Sequence, residues 1–194
     1  MRHRIRTSRA FTLIELLTVI AIIAVLVGLL FPAIRAAMLK AEIAKAATAA
    51  NHLAGAFHQY YTEYGKWPVS TVEPFTMNVD ATMVKILQGK GTDPAVSVLP
   101  YQGNPRNIVF LEIKAADVDA TGAYLDPWKR VYNCTFDTSY DNTIQDPFDN
   151  TKTVTAGVLV WSAGPDGLTS ATCGDPPGPY LMTPCVNQDN VKSW

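Results

Sequence analysis

The chain has 194 residues, of which 48% are hydrophobic and only 17% are charged. This composition excludes an intrinsically disordered protein, and the length fits one domain with an appendage. The net charge is −1, so no general basic surface for nucleic acid is expected. The charges are segregated, because residues 1–10 hold four arginines and no acid, whereas acids outnumber bases over residues 67–194. A basic tip, an apolar run and an acidic body indicate a chain that crosses a compartment boundary.

The longest uncharged run lies between Leu16 and Ile34 and contains nineteen residues. As a helix it would rise about 28 Å, close to the ~30 Å hydrocarbon core of a bilayer. The arginines before it predict that residues 1–10 stay in the cytoplasm and that the C-terminal body is exported.

Three interpretations of this run compete. A secretory signal peptide would need small residues in an A-x-A pattern soon after the apolar core, but the run continues into an alanine-rich helical pattern. A plain membrane anchor explains the length and the arginines but not Glu15, because an acid at mid-bilayer costs about 2.5–3.5 kcal/mol on insertion scales. An acid near the membrane edge costs less, so Glu15 is decisive only together with its neighbours, which support a third interpretation.

The residues at the start of the run read Arg9-Ala10-Phe11-Thr12-Leu13-Ile14-Glu15-Leu16. They resemble the N-terminal signal of type IV prepilins and type II secretion pseudopilins. The resemblance implies that prepilin peptidase removes the leader, residues 1–10, by cutting between Ala10 and Phe11, and that Phe11 is then methylated. Ala10 stands where the family usually has glycine. Glu15 becomes the fifth residue of the mature chain, and the resemblance implies that it pairs with the Phe11 amine of a neighbouring subunit during assembly.

Pro32 lies one helical turn after Gly28. A proline removes a backbone hydrogen bond and clashes with the preceding turn. Pro32 is also the twenty-second residue after the proposed cut, where related pilins carry a proline beside a segment that can lose helicity on assembly. The simpler alternative is a proline that bends the helix where it leaves the membrane.

Residues 35–65 predict the amphipathic continuation of the same helix, after a membrane-spanning part at residues 11–34. Alanine dominates the segment, and Gly65 with Pro68 beyond it signals the end of the helix near Tyr64. The apolar stripe expected to pack on a sheet consists of Ile43, Ala47, Ala50, Ala54, Phe57, Tyr61 and Tyr64.

Residues 66–194 predict an exported α+β head with a small antiparallel sheet packed on this helix, as in the pilin fold. Patterns typical of a short helix, of a strand or the approach to one, and of two strands occur in order at Thr82–Gly89, Ile108–Ile113, Arg130–Phe136 and Ala156–Ser162. The two strands are expected to form a hairpin, and the residues between them carry turn chemistry at 139–142 and 146–152.

Three further motifs of the head resemble the major pseudopilin of type II secretion. Asp126–Tyr132 resembles its "DPW–G–Y" turn, with Lys129 and Arg130 in place of the glycine. Val160–Gly167 resembles the "WS–G–DG" end of its last strand, and Asp189–Trp194 resembles its terminal "D-I–SW". Together with the leader, these motifs favour a pseudopilin of the major type.

In that family the loop between the last two motifs binds calcium, which requires hard oxygen ligands. The resemblance makes Asp166 and Asp189 the candidate Ca²⁺ ligands, and the weaker candidates are Ser162, Leu168 and Asp175. The alternative is that residues 164–167 form only a β-turn.

Three cysteines are too few and too dispersed for a disulfide scaffold. Cys173 and Cys185 bracket the candidate loop, and outside the cytoplasm a disulfide between them would stiffen it by about 3 kcal/mol. Cys134, on a predicted strand, is expected to be a buried thiol.

No catalytic motif is present, so the sequence favours a structural subunit over an enzyme. The predicted function is a subunit of a type II secretion pseudopilus or type IV pilus-like filament, held in the inner membrane by a single span. Its implied partners are copies of itself, minor pseudopilins, the peptidase/methyltransferase, the inner-membrane assembly platform and membrane lipid. The alternative is a membrane-anchored extracytoplasmic binding module that does not polymerise.

Overall fold

The structure, a computed structural model, describes residues 12–70, 76–90, 101–169 and 190–194. It confirms the predicted α+β class, with a long N-terminal helix and antiparallel sheets. The described elements in chain order are α1 (Leu13–Tyr64), β1 (Met77–Asn78), α2 (Ala81–Leu87), a 3₁₀ helix (Ala115–Asp117), β2 (Asn133–Phe136), β3 (Ile144–Asp146), β4 (Asp149–Val154), β5 (Val158–Ser162) and β6 (Val191–Lys192).

The chain divides into two compact units, Met1–Ala41 and Glu42–Trp194. Helix α1 contributes to both and ends where the sequence predicts. Gly65 follows it with a φ of +65°, and its N–H donates to the carbonyl of Tyr61 at 2.8 Å. This left-handed residue satisfies a carbonyl of the last turn, which is the usual role of glycine after a helix.

The face of α1 that packs in the second unit differs from the predicted stripe. Of the predicted residues only Ala50 and Phe57 are fully buried, and the others are half-buried. The buried face consists of Ala46, Ala50, Leu53, Ala56, Phe57 and Tyr60. The predicted stripe is rotated from the buried face because alanines at neighbouring positions are compatible with either of two adjacent faces of the helix. The large side chains of Leu53 and Tyr60 determine which face is buried.

The main sheet has the strand order β1-β2-β5-β6 with antiparallel neighbours throughout. Strands β2 and β5 form the predicted hairpin pair, running from Asn133 opposite Trp161 to Phe136 opposite Val158. Strand β2 starts later than predicted because Arg130 belongs to a turn, where its carbonyl accepts the N–H of Asp126 at 2.7 Å. Strand β6 closes the far side of β5, so the described C-terminal residues complete the sheet.

The segment between β2 and β5 has the predicted turn chemistry and also contains two strands that were not predicted. It folds into a second antiparallel sheet of β3 and β4, hereafter the β3–β4 sheet. The turn chemistry is present, since Asp146 Oδ1 accepts the N–H of Phe148 at 2.8 Å, but it joins two strands. Ile144 and Phe148 pack with Leu159 and Trp161 in a separate small core, and this burial fixes the sheet.

The run Ile108–Ile113 forms no strand. It lies against the end of α2, where the N–H groups of Phe110 and Leu111 both donate to the carbonyl of Leu87, at 2.9 and 3.1 Å. A C-terminal carbonyl that the short helix leaves unpaired therefore takes up these donors, and the run pairs with no described strand.

Candidate functional site

The first turn of α1 contains a reciprocal pair between Thr12 and Glu15. Glu15 Oε2 accepts the N–H of Thr12 at 2.9 Å and its hydroxyl proton at 2.7 Å, while Glu15 N–H donates to Thr12 Oγ1 at 3.3 Å. This arrangement is a capping box, which satisfies N–H groups that a helix start leaves unpaired. The sequence interpretation missed the role of Thr12, although Thr-x-x-Glu before an apolar run is a readable signal of it. Ala10 and Phe11 lie outside the described residues.

The N-terminal part of α1 presents a continuous apolar surface. Every described residue from 12 to 41 is exposed, and Leu29, for example, exposes 72% of its surface. The most apolar 18-residue window of the helix has a mean hydropathy of 2.9, so the helix is long and apolar enough to cross a membrane. Glu15 is the only acid between residues 12 and 41.

Pro32 lies inside α1 and does not interrupt it, because the helix is continuous from Leu13 to Tyr64. The missing proline N–H leaves the carbonyl of Gly28 without its usual partner in the helix. A Cβ built on Gly28 would meet nothing within 4 Å. The predicted loss of helicity belongs to the assembled state, so it stays a prediction.

Two of the head motifs meet around the carboxylate of Asp126. Its Oδ1 accepts the backbone N–H groups of Trp128 and Arg130, each at 2.9 Å, and its Oδ2 accepts the hydroxyl proton of Ser162 at 2.6 Å. Ser162 Oγ accepts in turn from the N–H of Gly164 at 3.0 Å. Asp126 and Ser162 are 3% and 0% exposed, so a buried, fully bonded carboxylate joins the two motifs. The sequence around Asp126 and around Ser162 gives no indication that these two residues, 36 positions apart, are hydrogen-bonded.

Lys129 adopts the conformation that glycine would take in this turn. Its φ is +67°, and its N–H donates to the carbonyl of Asp126 at 3.1 Å. A side chain in this left-handed region costs roughly 1–2 kcal/mol. The turn is nevertheless formed, because the carboxylate of Asp126 collects the N–H groups on both sides of Lys129.

The calcium prediction is only partly covered by the described residues. Asp166 is exposed, and its Oδ1 accepts the N–H of Leu168 at 2.8 Å. Asp175 and Asp189 lie outside the described residues, within which no cluster of three or more metal-binding His, Cys, Asp or Glu side chains occurs. The guanidinium of Arg130 donates to the carbonyl of Gly164, beside Asp166. A fixed positive charge at this place does not fit a divalent cation.

The cysteines have different outcomes. Cys173 and Cys185 lie outside the described residues, so their disulfide stays a prediction. Cys134 is a free thiol on β2 with no exposed surface, as predicted. Burial, and then the charge of Asp80, raises the pKa of the Cys134 thiol, which keeps it protonated and unreactive.

Comparison with known proteins shows what parts of the chain are similar to. The model of the prokaryotic N-terminal methylation motif matches residues 5–31. The fimbrial protein EcpC of Eikenella corrodens is 36% identical over 63 residues, which are 32% of this chain and 41% of that protein. A type IV major pilin protein PilE1 of Neisseria gonorrhoeae is 38% identical over 61 residues, 31% of this chain and 37% of that protein.

The chain thus spans less than half the length of the curated relatives it matches. No solved structure matches it. Over about a third of its length the chain is therefore similar to type IV pilins and a fimbrial protein, and its N-terminal region carries the prokaryotic methylation motif.

Proposed function

We propose that the chain is a structural subunit of a helical filament of the type IV pilus class. The observation that carries this proposal is the exposed apolar surface of residues 12–41, with the single acid Glu15 in its first turn. Exposed apolar surfaces of this extent mark a membrane or a protein partner. Lipid covers the apolar side chains but offers no cation to a carboxylate. A bundle of identical processed chains would cover the apolar side chains and also provide a free amine to pair with each carboxylate.

The capping box supports a specific role for Glu15. Its Oε2 is held on the N–H of Thr12, one peptide bond from the amine that cleavage would free at Phe11. In the proposed filament, Oε1 accepts the Phe11 amine of a neighbouring copy. The pair neutralises two charges inside an apolar bundle, where an unpaired carboxylate is costly, and so favours one register between neighbours.

The proposed topology follows from the charges at the two ends of the span. The four arginines of residues 1–10 hold the leader in the cytoplasm, and the acidic head is exported across the inner membrane. Prepilin peptidase then removes the leader after Ala10, methylation modifies Phe11, and an inner-membrane platform assembles the subunits together with minor pseudopilins. The role is structural rather than enzymatic.

The secretion pseudopilus is the more specific proposal, and it rests on the head. The motifs at Asp126 and Ser162 that resemble the major pseudopilin are in direct contact, with 2.6 Å between the hydroxyl and the carboxylate. The relatives found by comparison are named as pilins and a fimbrial protein. The proposal therefore treats the filament class as primary and secretion as the function that the head motifs favour.

Processing tests this proposal. The full chain would be expressed with and without a prepilin peptidase, and intact-mass and N-terminal peptide analysis would follow. We expect a chain that begins at methylated Phe11 only when the peptidase is present. Ala10→Glu, with a bulky charge at the cut, should remain unprocessed as a matched control. An intact leader in the presence of the peptidase, or a cut beyond Pro32, would contradict the pilin role and favour the anchored binding module.

A further inference from the structure

The side chain of Arg130 lies across the two head motifs that meet at Asp126. Its backbone N–H donates to Asp126 Oδ1 at 2.9 Å, which fixes the start of the side chain. Its Nη1 donates to the carbonyl of Gly164, at the first residue of the turn 164–167. One arginine therefore connects the turn before β2 to the turn after β5.

The guanidinium also fills the space over the end of the 164–167 turn. A Cβ on Gly167 would lie 2.2 Å from Cζ, 2.4 Å from Nε and 2.5 Å from Nη1 of Arg130. Gly167 has a φ of +73°, so a side chain would be strained there as well as blocked. The guanidinium of Arg130 therefore lies against Gly167, the residue after Asp166.

Negative charge lies beneath the same turn. The carboxylate of Asp126 is 3% exposed and is bonded to the hydroxyl of Ser162, which itself accepts the N–H of Gly164. The Ser162 hydroxyl proton is thus donated to Asp126, and one lone pair of its oxygen accepts the N–H of Gly164. The 164–167 turn is thus linked to the Asp126 carboxylate through Ser162 and to the Arg130 guanidinium directly. Arg130 therefore provides the turn with a positive charge from the protein itself.

We propose that the guanidinium of Arg130 is the built-in cation of this turn and takes the place of a Ca²⁺ ion. A divalent ion beside Asp166 would be repelled by the guanidinium that packs on the neighbouring Gly167, because consecutive Cα atoms are only about 3.8 Å apart. The head therefore holds its 164–167 turn without calcium. This inference concerns the head alone and does not depend on whether the chain polymerises.

Thermal unfolding of the full chain in detergent micelles tests the inference, in the presence of calcium or of a chelator. We expect the same Tm in both conditions for the wild type. Arg130→Gln should lower the Tm by a few degrees, whereas Lys129→Gln, which removes the adjacent positive charge, should leave it within about 1 °C, since a change of 1 kcal/mol shifts the Tm of a domain of this size by roughly 2–4 °C. A wild-type Tm several degrees higher in calcium, or equal losses in the two variants, would overturn the proposal.

Terbium luminescence gives a readout that a merely structural arginine would not change. Tb³⁺ stands in for Ca²⁺, and Trp161, next to Ser162 in β5, can sensitise it. We expect Arg130→Gln to bind Tb³⁺ at least about tenfold more tightly than the wild type, with competition by calcium. Arg130→Lys keeps the positive charge and should exclude the ion as the wild type does. Equal luminescence of the wild type and Arg130→Gln, whether strong or absent, would show that the arginine does not occupy a cation position.

Discussion

The Glu15 carboxylate bonds Thr12 in its own chain, and we propose that it also pairs with the Phe11 amine of a neighbouring chain. Within the chain, its carboxylate and Thr12 bond each other reciprocally at the helix start. A cap of this kind contributes about 1 kcal/mol to a helix. Any loss of assembly after changing Glu15 could therefore come from a weakened helix start or from the missing charge, and the two causes must be separated.

Glu15→Gln separates these two causes, because glutamine still completes a capping box but carries no charge. We expect Glu15→Gln and Glu15→Leu to be inserted and processed normally and to form no filaments, since neither can pair with the Phe11 amine. Thr12→Val, which removes the cap hydroxyl but keeps the carboxylate, should still assemble. The measurement is the filament fraction sheared from cells, relative to processed subunit in the membrane. Normal filament yield from Glu15→Gln would show that the charge is dispensable.

Single residues differ in how much of their role the sequence reveals. The acid in an apolar run is a local signal that singles out Glu15 from the sequence alone, and its role in assembly stays a prediction. The bond between Asp126 and Ser162 joins residues 36 positions apart, and its existence depends on how two turns meet after the sheet has formed. The contact of Arg130 with the carbonyl of Gly164 was not predicted, because a position in a turn motif gives no local sign of a partner 34 residues away.

The elements of the head show the same division. Strands β2 and β5 were predictable because residues 130–136 alternate and residues 156–162 are mostly apolar, and both strands contribute to the core that includes α1. The β3–β4 sheet was not, since β4 exposes most of its residues and shares the composition of a turn. Ile144 and Phe148 bury it in a small core and Val154 packs against that core, and so few apolar residues among many polar ones give no periodic pattern.

The turn end of β4 carries a pH-sensitive carboxylate. Asp149 Oδ2 lies 2.8 Å from the Lys152 ammonium, and Oδ1 accepts the hydroxyl proton and N–H of Thr151 at 2.6 and 3.0 Å. The Lys152 ammonium first, and then these bonds from Thr151, lower the pKa of the Asp149 carboxyl to about 2. An unfolded aspartate titrates near pH ~3.9. The folded form is therefore favoured above that pH, and the contribution is lost as pH falls toward about 2.

We expect amide exchange at Thr151 to accelerate as pH falls from about 4 to about 2, after correction for intrinsic rates. The reason is that protonation of Asp149 weakens the bonds to both neighbours. Asp149→Asn should remove this dependence, while Asp141→Asn, at another exposed turn, should preserve it at Thr151. The measurement is hydrogen exchange followed by mass spectrometry or NMR. An unchanged profile in Asp149→Asn would assign the effect to another carboxylate.

On the scale of the whole molecule, the chain combines two units with opposite solvent requirements. The described residues 12–41 of the first are all exposed and mostly apolar, and the second has a buried core. The boundary at Glu42 lies within α1. Residues of α1 beyond it belong to the head, since Glu42 Oε2 accepts the indole N–H of Trp128 at 3.1 Å and the Ala46 carbonyl accepts the Tyr132 hydroxyl proton at 3.2 Å.

Two truncations test this division. We expect residues 36–194 to be soluble without detergent and to melt cooperatively, because every residue of the second unit is retained. Residues 66–194 should fail to fold, since they lack Leu53, Phe57 and Tyr60 from the core. Circular dichroism and size-exclusion chromatography would provide the comparison. A folded 66–194 fragment would show that the helix is an attachment to the head rather than part of it.

Strand β6 gives the order of synthesis a physical meaning. It follows every other described strand in the chain, yet it pairs with β5, where Trp161 lies opposite Lys192. The Val160 N–H donates to Ser193 Oγ and the Ser193 N–H donates to the Val160 carbonyl, each at 3.0 Å. Trp194 stacks on Phe148 at 5.8 Å between ring centroids, which also covers the small core of the β3–β4 sheet. In the proposed topology, β5 has an unpaired edge until residues 190–194 have crossed the membrane, and such edges template pairing with other chains. A chain arrested late in the proposed export would therefore expose this edge to other chains, because the residues that cover it cross after the other described strands.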